Sequence, residues 1–329
     1  MDISIIITCL NEEKNLAPCL NSLMNQIYDA GSVEIIVADG GSTDRTHEIV
    51  TGFQKQHSNI FLVIEKKKGT AAGRNAGLRI SRFKHVAFID ADCEAPRDWL
   101  ATLVLRYREI QRIDRNVVAV GGGNIPHNDA SKFEKAIGIA LDCYLGSFRS
   151  AQGRKFQTGR YVPSLANLNV LYDKEVLLQV GGYDESLKSE AEDADINYRL
   201  HCRGYKFWFV PESFVWHKMR PTPRTWFKNM FRYGKGRARL LKRYPGMWAP
   251  SFLMPPLFLL VMASVLLAPL WGPFGFGLCY FPLILLMAIV QCLKAGAPLL
   301  VCEVFGIYLI QHFGFALGEV YGLAHPRVR

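Results

Sequence analysis

Short apolar runs alternate with helical patterns through the first two hundred residues. Ile3–Thr8 reads as a buried strand, followed by a helix over 13–26. A second strand at 34–38 precedes a helix over 43–56 that Asp44 helps to cap. Further strands at 60–65 and 85–89 are separated by a helix of small residues over 71–81. Strands alternating with helices of this length predict βαβ units and a largely parallel sheet, an α/β fold. Ligands of such sheets bind beyond the carboxyl ends of the strands. Thr8, Asn11 and Glu12 follow the first strand, Asp39 follows the second, and Asp90 and Asp92 follow the fourth.

The alternation ends after a strand at 117–120 and a turn at Gly121–Gly123. A helix over 132–145 then leads to a basic loop carrying Arg149, Arg154, Lys155 and Arg160. An extended stretch at 166–171, helices over 174–180 and 192–202, and a last strand at 206–210 complete this region.

From Tyr244 to Leu293 there is no Asp, Glu, Lys or Arg. Two segments there, 252–271 and 274–293, each reach the ~20 residues that cross a bilayer, with Gly272-Pro273 as the turn between them on the far side. A third apolar segment, 298–317, is interrupted by Glu303, Gln311 and His312. It is expected to span as well, packed on the hairpin, which leaves Arg327 and Arg329 outside; a segment that lies in the interface or re-enters would instead keep them inside.

Charge sharpens the division at 245/246. The net charge is +10, and ten basic residues with no acidic one lie between Ser213 and Tyr244. Their place beside the apolar segments points to anionic lipid rather than nucleic acid. The eight cysteines form no CxxC pair and predict neither zinc nor disulfides. No signal peptide precedes the first strand, so residues 1–245 are expected in the cytoplasm and 246–329 in the cytoplasmic (inner) membrane as a multi-pass anchor.

Several polar groups carry chemistry. Two carboxylates at a strand end, in Asp90-Ala91-Asp92, suit a hard divalent cation such as Mg²⁺ or Mn²⁺, although loop carboxylates often have no such role. Asp39, followed by two glycines, suits hydrogen bonds to a base or ribose. Ser42 and Asp44 read equally well as a turn and a helix cap. In Gly69–Gly77, Arg74 is placed to reach diphosphate oxygens, or else is solvated on a tightly packed helix. Glu190–Asp195 holds carboxylates that serve either the helix dipole or proton abstraction from a hydroxyl. His217, after the last strand, is a metal ligand or a packed aromatic.

Together these segments resemble the inverting family 2 glycosyltransferases of the GT-A fold, over roughly residues 2–245. The resemblance lies in the order of Thr8–Glu12, Asp39–Asp44, Gly73-Arg74-Asn75, Asp90-Ala91-Asp92, Gly181–Glu185 and Glu192-Asp193. It implies that Asp39 contacts the nucleobase, usually uracil, and that Asp92 and His217 bind the metal. Asp193 becomes the catalytic base, and Thr8, Asn11, Glu12, Arg74, Asp90, Arg232 and Arg237 the remaining contacts to the nucleotide sugar. Thr8 stands where the family often has proline, and Gly40 replaces a frequent second aspartate. The Gln-x-x-Arg-Trp signature of processive synthases is absent; Arg232–Arg237 occupies that region. The pattern is similar to the membrane-bound branch typified by succinoglycan-type exopolysaccharide glycosyltransferases, which add one sugar to a lipid-linked saccharide. A polyprenyl-phosphate sugar synthase is the nearest rival, but a phosphate acceptor needs no base. A non-catalytic nucleotide-sugar-binding scaffold would be expected to lack some of Asp39, Asp92 and Asp193.

Overall fold

A computed structural model describes residues 1–147, 150–153 and 156–325. Arg149, Arg154 and Lys155 of the expected basic loop, and Arg327 and Arg329, lie outside the described residues. In chain order the elements begin with β1 (Ile3–Cys9), α1 (Leu16–Met24), β2 (Val33–Asp39), α2 (Thr46–Gln54), β3 (Ile60–Ile64), α3 (Thr70–Ile80) and β4 (His85–Asp90). Next come β5 (Cys93–Glu94), α4 (Trp99–Ile113), β6 (Val117–Pro126), α5 (Lys132–Leu141), α6 (Tyr144–Ser147), β7 (Arg160–Val162) and β8 (Val170–Asp173). The chain continues with α7 (Lys174–Gln179), α8 (Glu192–His201), β9 (Lys206–His217), α9 (Pro223–Arg243), α10 (Met254–Ser264), α11 (Tyr280–Lys294) and α12 (Val301–Ala324). Two compact units result, Met1–His127 with Arg149–Lys218 and Asn128–Phe148 with Met219–Arg329. The basic helix α9 belongs to the second.

In the first unit the sheet order is β3-β2-β1-β4-β8-β6-β9-β5, with β7 on β9. The first four strands are parallel, as their spacing predicts. The far half is mixed, because β8 runs antiparallel to both β4 and β6. Both faces of β1 are covered: Ile5, Ile7, Ile35 and Val37 pack on one side, Ile6, Ile36, Val86 and Phe88 on the other. Burial on both faces is the reason these strands are almost continuously apolar. It supplies about 1.5–3 kcal/mol for each large side chain removed from water. Helix α3 needs its small residues because a Cβ at Gly77 would lie 2.4 Å from Ile6 Cγ2.

Two expectations need correction here. Gly121–Gly123 is no turn but the middle of β6, and β9 runs to His217 rather than Val210. The glycines admit neighbouring backbone: a Cβ at Gly122 would lie 1.8 Å from Ser213 O, and one at Gly123 2.0 Å from Gly153 O. Strand β6 thereby pairs with β9 along its whole length and carries Asn124 to the end where His217 lies.

Among the described residues of the second unit, three helical segments are long and apolar enough to cross a membrane: Pro250–Leu267, Gly272–Lys294 and Pro298–Ala324. The first break falls at residues 268–271, and Gly272-Pro273 opens the next helical turn instead of forming the loop. Proline fits there because the first N–H of a helix has no intrahelical partner. The third segment is packed on the second, where Tyr280 Oη lies 2.8 Å from His312 Nδ1. It also packs along α9 through Gly314, Gly318 and Gly322, one on each turn. A Cβ at Gly318 would lie 2.0 Å from Phe231 O, and one at Gly234 of α9 would lie 2.0 Å from Phe315 O. Close backbone approach between helices is the usual role of small residues at this spacing. Gly306, on the same helix, faces open space. The Gly318→Val variant should therefore lose at least about 1–3 kcal/mol to overpacking, whereas Gly306→Val should stay within about 0.5 kcal/mol of the parent. Thermal unfolding in detergent measures both; equal melting of the two variants would contradict the packing.

Candidate active site

The loops after β1 and β2 hold each other. Asn11, with φ 57°, accepts from Thr43 N through Oδ1 at 2.8 Å and donates its own N–H to Ser42 Oγ at 2.8 Å. Glu12 N donates to Thr46 Oγ1 and Glu13 N to Asp44 Oδ2. Asp44 also accepts from Thr46 N at 3.0 Å, so it turns the chain into α2. These bonds hold the Asp44 carboxyl below the usual aspartate range despite the cost of desolvation. Asn11 and Glu12, expected among the nucleotide-sugar contacts, thus help to build the loop.

Asp39 sits at the end of β2, buried between β1 and β3. Its Oδ1 accepts from Ser42 N at 3.0 Å and Ser42 Oγ at 2.6 Å. Oδ2 has no hydrogen-bond partner among the described residues, so one acceptor is left for an N–H of a ligand. Thr8, beside it at the end of β1, directs its methyl toward Gly73, where a Cβ would lie 3.1 Å from Thr8 Cγ2.

The next strand end carries the paired aspartates. Asp92 Oδ2 lies 3.5 Å from His217 Nε2, across the short β5–β9 pairing. Ligands each about 2.1 Å from an octahedral ion sit about 3 Å apart, so these two atoms fit one hard cation. Asn124 lies against the other ring nitrogen of His217, with Nδ2 3.1 Å from Nδ1. The ligand atoms of Asp92, Cys93 and His217 all lie within 4.8 Å of one another. Burial, with Asp92 and Asp90 adding to it, pushes the Cys93 thiol well up. A protonated thiol is no ligand for Mg²⁺ or Mn²⁺.

Arg74 departs from the solvated reading. It is 4% exposed and bonded to two carboxylates. Its Nη1 donates to Glu192 Oε1 at 2.7 Å and its Nη2 to Asp90 Oδ1 at 3.2 Å. The guanidinium stands 5.6 Å from the centroid of the Tyr183 ring. Burial raises the Asp90 carboxyl, and neighbouring Asp92 adds to this against the pull of Arg74.

Glu192 and Asp193 open α8, directly after Ala191 in the left-handed region at φ 62°. Asp193 is half-buried. Its Oδ1 accepts from Ala194 N at 2.8 Å, and its Oδ2 has no hydrogen-bond partner among the described residues. Burial, then the charge of Glu192, pushes its carboxyl up to about 6. This suits a general base, which works best when its pKa lies near the working pH.

Arg232 and Arg237 lie on α9, in the other unit. Arg232 Nη2 donates to Asn229 Oδ1 at 2.8 Å. Arg237 Nη2 donates to Ser251 Oγ at 3.2 Å, and its guanidinium lies 4.0 Å from the Phe252 ring centroid. The sequence reading missed Asn124 and the partnership of Glu192 with Arg74. The signal for the first was one amide ending a run of three glycines.

The sequence model of glycosyl transferase family 2 matches residues 4–179. Glycosyltransferase AglE of Haloferax volcanii is 31% identical over 239 residues, which are 72% of this chain and 73% of that protein. The dolichyl N-acetyl-alpha-D-glucosaminyl phosphate 3-beta-D-2,3-diacetamido-2,3-dideoxy-beta-D-glucuronosyltransferase of Methanococcus voltae is 24% identical over 327 residues, covering 97% of this chain and 98% of that one. Among solved structures, the mannosyltransferase PcManGT from Pyrobaculum calidifontis, in complex with GDP-Man and Mn²⁺, superposes with a TM-score of 0.65 at 18% identity. That superposition spans 94% of this chain and 86% of the other, and it identifies the mixed sheet as a GT-A fold. The chain is a glycosyltransferase and belongs to glycosyl transferase family 2.

Proposed function

We propose that the protein transfers one sugar, with inversion, from a nucleotide-diphosphate sugar to a hydroxyl of a membrane-associated, lipid-linked saccharide. The observation that carries this reading is the Asp193 carboxyl at the start of α8. It has one oxygen without a hydrogen-bond partner among the described residues and an affinity for protons raised to about 6. A phosphate acceptor would give such a base nothing to do. The Methanococcus voltae relative, which is named for a dolichyl-linked sugar and covered over nearly its full length, supports the lipid-linked acceptor. The three apolar helices support a multi-pass anchor in the cytoplasmic membrane, with residues 1–245 in the cytoplasm.

Asp39 Oδ2 accepts from the nucleobase, with Ser42 fixing the carboxylate through Oδ1. A uracil N–H fits one free acceptor, which supports a UDP-linked donor. Asp92 and His217 would hold Mg²⁺ or Mn²⁺. Such an ion, when bound, neutralises the diphosphate and makes it a better leaving group. Asp193 takes the proton of the acceptor hydroxyl as that oxygen forms its bond to C1 of the sugar. The C1–O bond to the diphosphate breaks, and its electron pair leaves with the phosphate oxygen. One displacement from the opposite face inverts the anomeric centre.

The screen that tests this supplies radiolabelled UDP- and GDP-sugars to membranes containing the protein. Label released by mild acid as an oligosaccharide supports a hydroxyl acceptor; label released as a monosaccharide means a phosphate acceptor and overturns the reading. The pH profile gives a second test. Asp193 must be deprotonated to act, so turnover should fall about tenfold per unit as pH drops below about 6. An acid limb near 4, the ordinary aspartate value, would remove Asp193 from the mechanism.

A further inference from the structure

We propose that Arg74 is a positioning residue for the base: it joins the start of α8, through Glu192, to the end of β4, through Asp90. The inference rests on the assignment of Asp193 as base.

The loop that delivers α8 is fastened to the first turns of α3. Ala71 N donates to Lys188 O at 3.0 Å and Thr70 N to Ser189 Oγ at 3.1 Å. Asn75 Nδ2 donates to Tyr183 O and to Glu185 Oε1, both at 2.8 Å, and Asn75 Oδ1 accepts from Tyr183 N at 2.9 Å. Gly69 has no room for a side chain, since a Cβ there would lie 2.5 Å from Lys188 Cα. Lys188 and Ala191, at φ 58° and 62°, are non-glycine residues at positive φ. A backbone of that kind persists only where its surroundings hold it.

Arg74 and Thr70 are the side chains of α3 that reach into α8 itself. Glu192 Oε1 accepts from Arg74 Nη1 and from Thr70 Oγ1, each at 2.7 Å. The second amino group of Arg74 is committed to Asp90, two residues before Asp92. One buried cation therefore serves carboxylates from two elements that the chain joins only through about a hundred intervening residues. Without it Glu192 and Asp90 would repel each other, and the next residue, Asp193, would lose its fixed place. The charged and titratable groups facing Asp193 are Glu192 on its own helix, Arg74 of α3, Asp90 of β4, Tyr172 of β8 and Tyr183 of the preceding loop. Glu192 and Arg74 act on it with opposite sign.

The test compares Arg74→Gln, Arg74→Lys and Glu192→Gln in the full-length enzyme in native membranes. Arg74→Gln should lower kcat by about 10²-fold, the effect of misplacing a catalytic group by about an ångström. The donor KM should stay within about threefold, because the interaction lost is not with the donor. Arg74→Lys, which keeps the charge but not the fork, should recover part of that loss. The acid limb should move to higher pH in Arg74→Gln and to lower pH in Glu192→Gln. A donor KM raised with kcat unchanged in Arg74→Gln would instead make Arg74 a direct diphosphate contact and overturn the proposal. Limbs unmoved in both variants would overturn it too. An Asp193→Asn enzyme that remains active would show instead that the base assignment has failed, whatever the Arg74 variants do.

Discussion

Asp193→Asn should lower kcat by about 10²–10⁴-fold, the usual cost of removing a general base, while leaving the affinity for the nucleotide sugar nearly unchanged. The asparagine keeps the shape and can still accept from Ala194 N, so the start of α8 should hold. It has no carboxylate to take the acceptor's proton. The base acts on the acceptor's proton and not on the donor, so donor affinity has no reason to change. Transfer kinetics with saturating donor, alongside a nucleotide titration, separate the two quantities. A variant that keeps more than about a tenth of parental turnover would lie outside the range for a base, and the proton would have to go elsewhere.

The half of the sheet from β3 to β4 was legible because its residues say one thing at every level. Ile3, Ile5, Ile6 and Ile7 are wholly buried, and each strand is followed by turn residues and a helix. The expected ligand positions at the strand ends, Asp39, Asp90 and Asp92, followed from that regularity alone. The far half was misread where backbone packing overrides local preference. Three consecutive glycines look like a turn, yet Gly122 sits in a strand because only a missing side chain lets Ser213 O approach. A strand that stops at Val120 leaves Asn124 without a strand end to mark it as a site residue. The partners of Arg74 are hidden in the sequence for a related reason. Nothing in Gly73-Arg74-Asn75 tells which carboxylates will face the guanidinium, because Glu192 is 118 residues away and arrives only when the loop after α7 docks on α3. Cap and turn residues fared better, since Asp44 needs only neighbours close to hand. The second unit shows the same limit. Its apolar segments and their approximate lengths are plain from composition, but the glycine spacing on α12 acquires meaning only once α9 lies against it.

Removing divalent metal should abolish transfer, and Mn²⁺ or Mg²⁺ added back should restore it. Asp92 and His217 would offer such an ion one oxygen and one nitrogen, 3.5 Å apart. Two protein ligands hold an ion weakly by themselves, so metal and nucleotide diphosphate should bind together, each strengthening the other by the same factor. Asp92→Ala and His217→Ala should therefore weaken UDP binding strongly when Mn²⁺ is present and little when it is absent. Asn124→Ala should have a smaller effect than either, because Asn124 packs against His217 Nδ1 and does not offer a ligand atom to the ion. Calorimetric titration of UDP with and without Mn²⁺ reads all three variants on one scale. Full activity in excess EDTA would rule the metal out. Equal UDP affinity in Asp92→Ala and its parent, with Mn²⁺ present, would place the ion on other ligands.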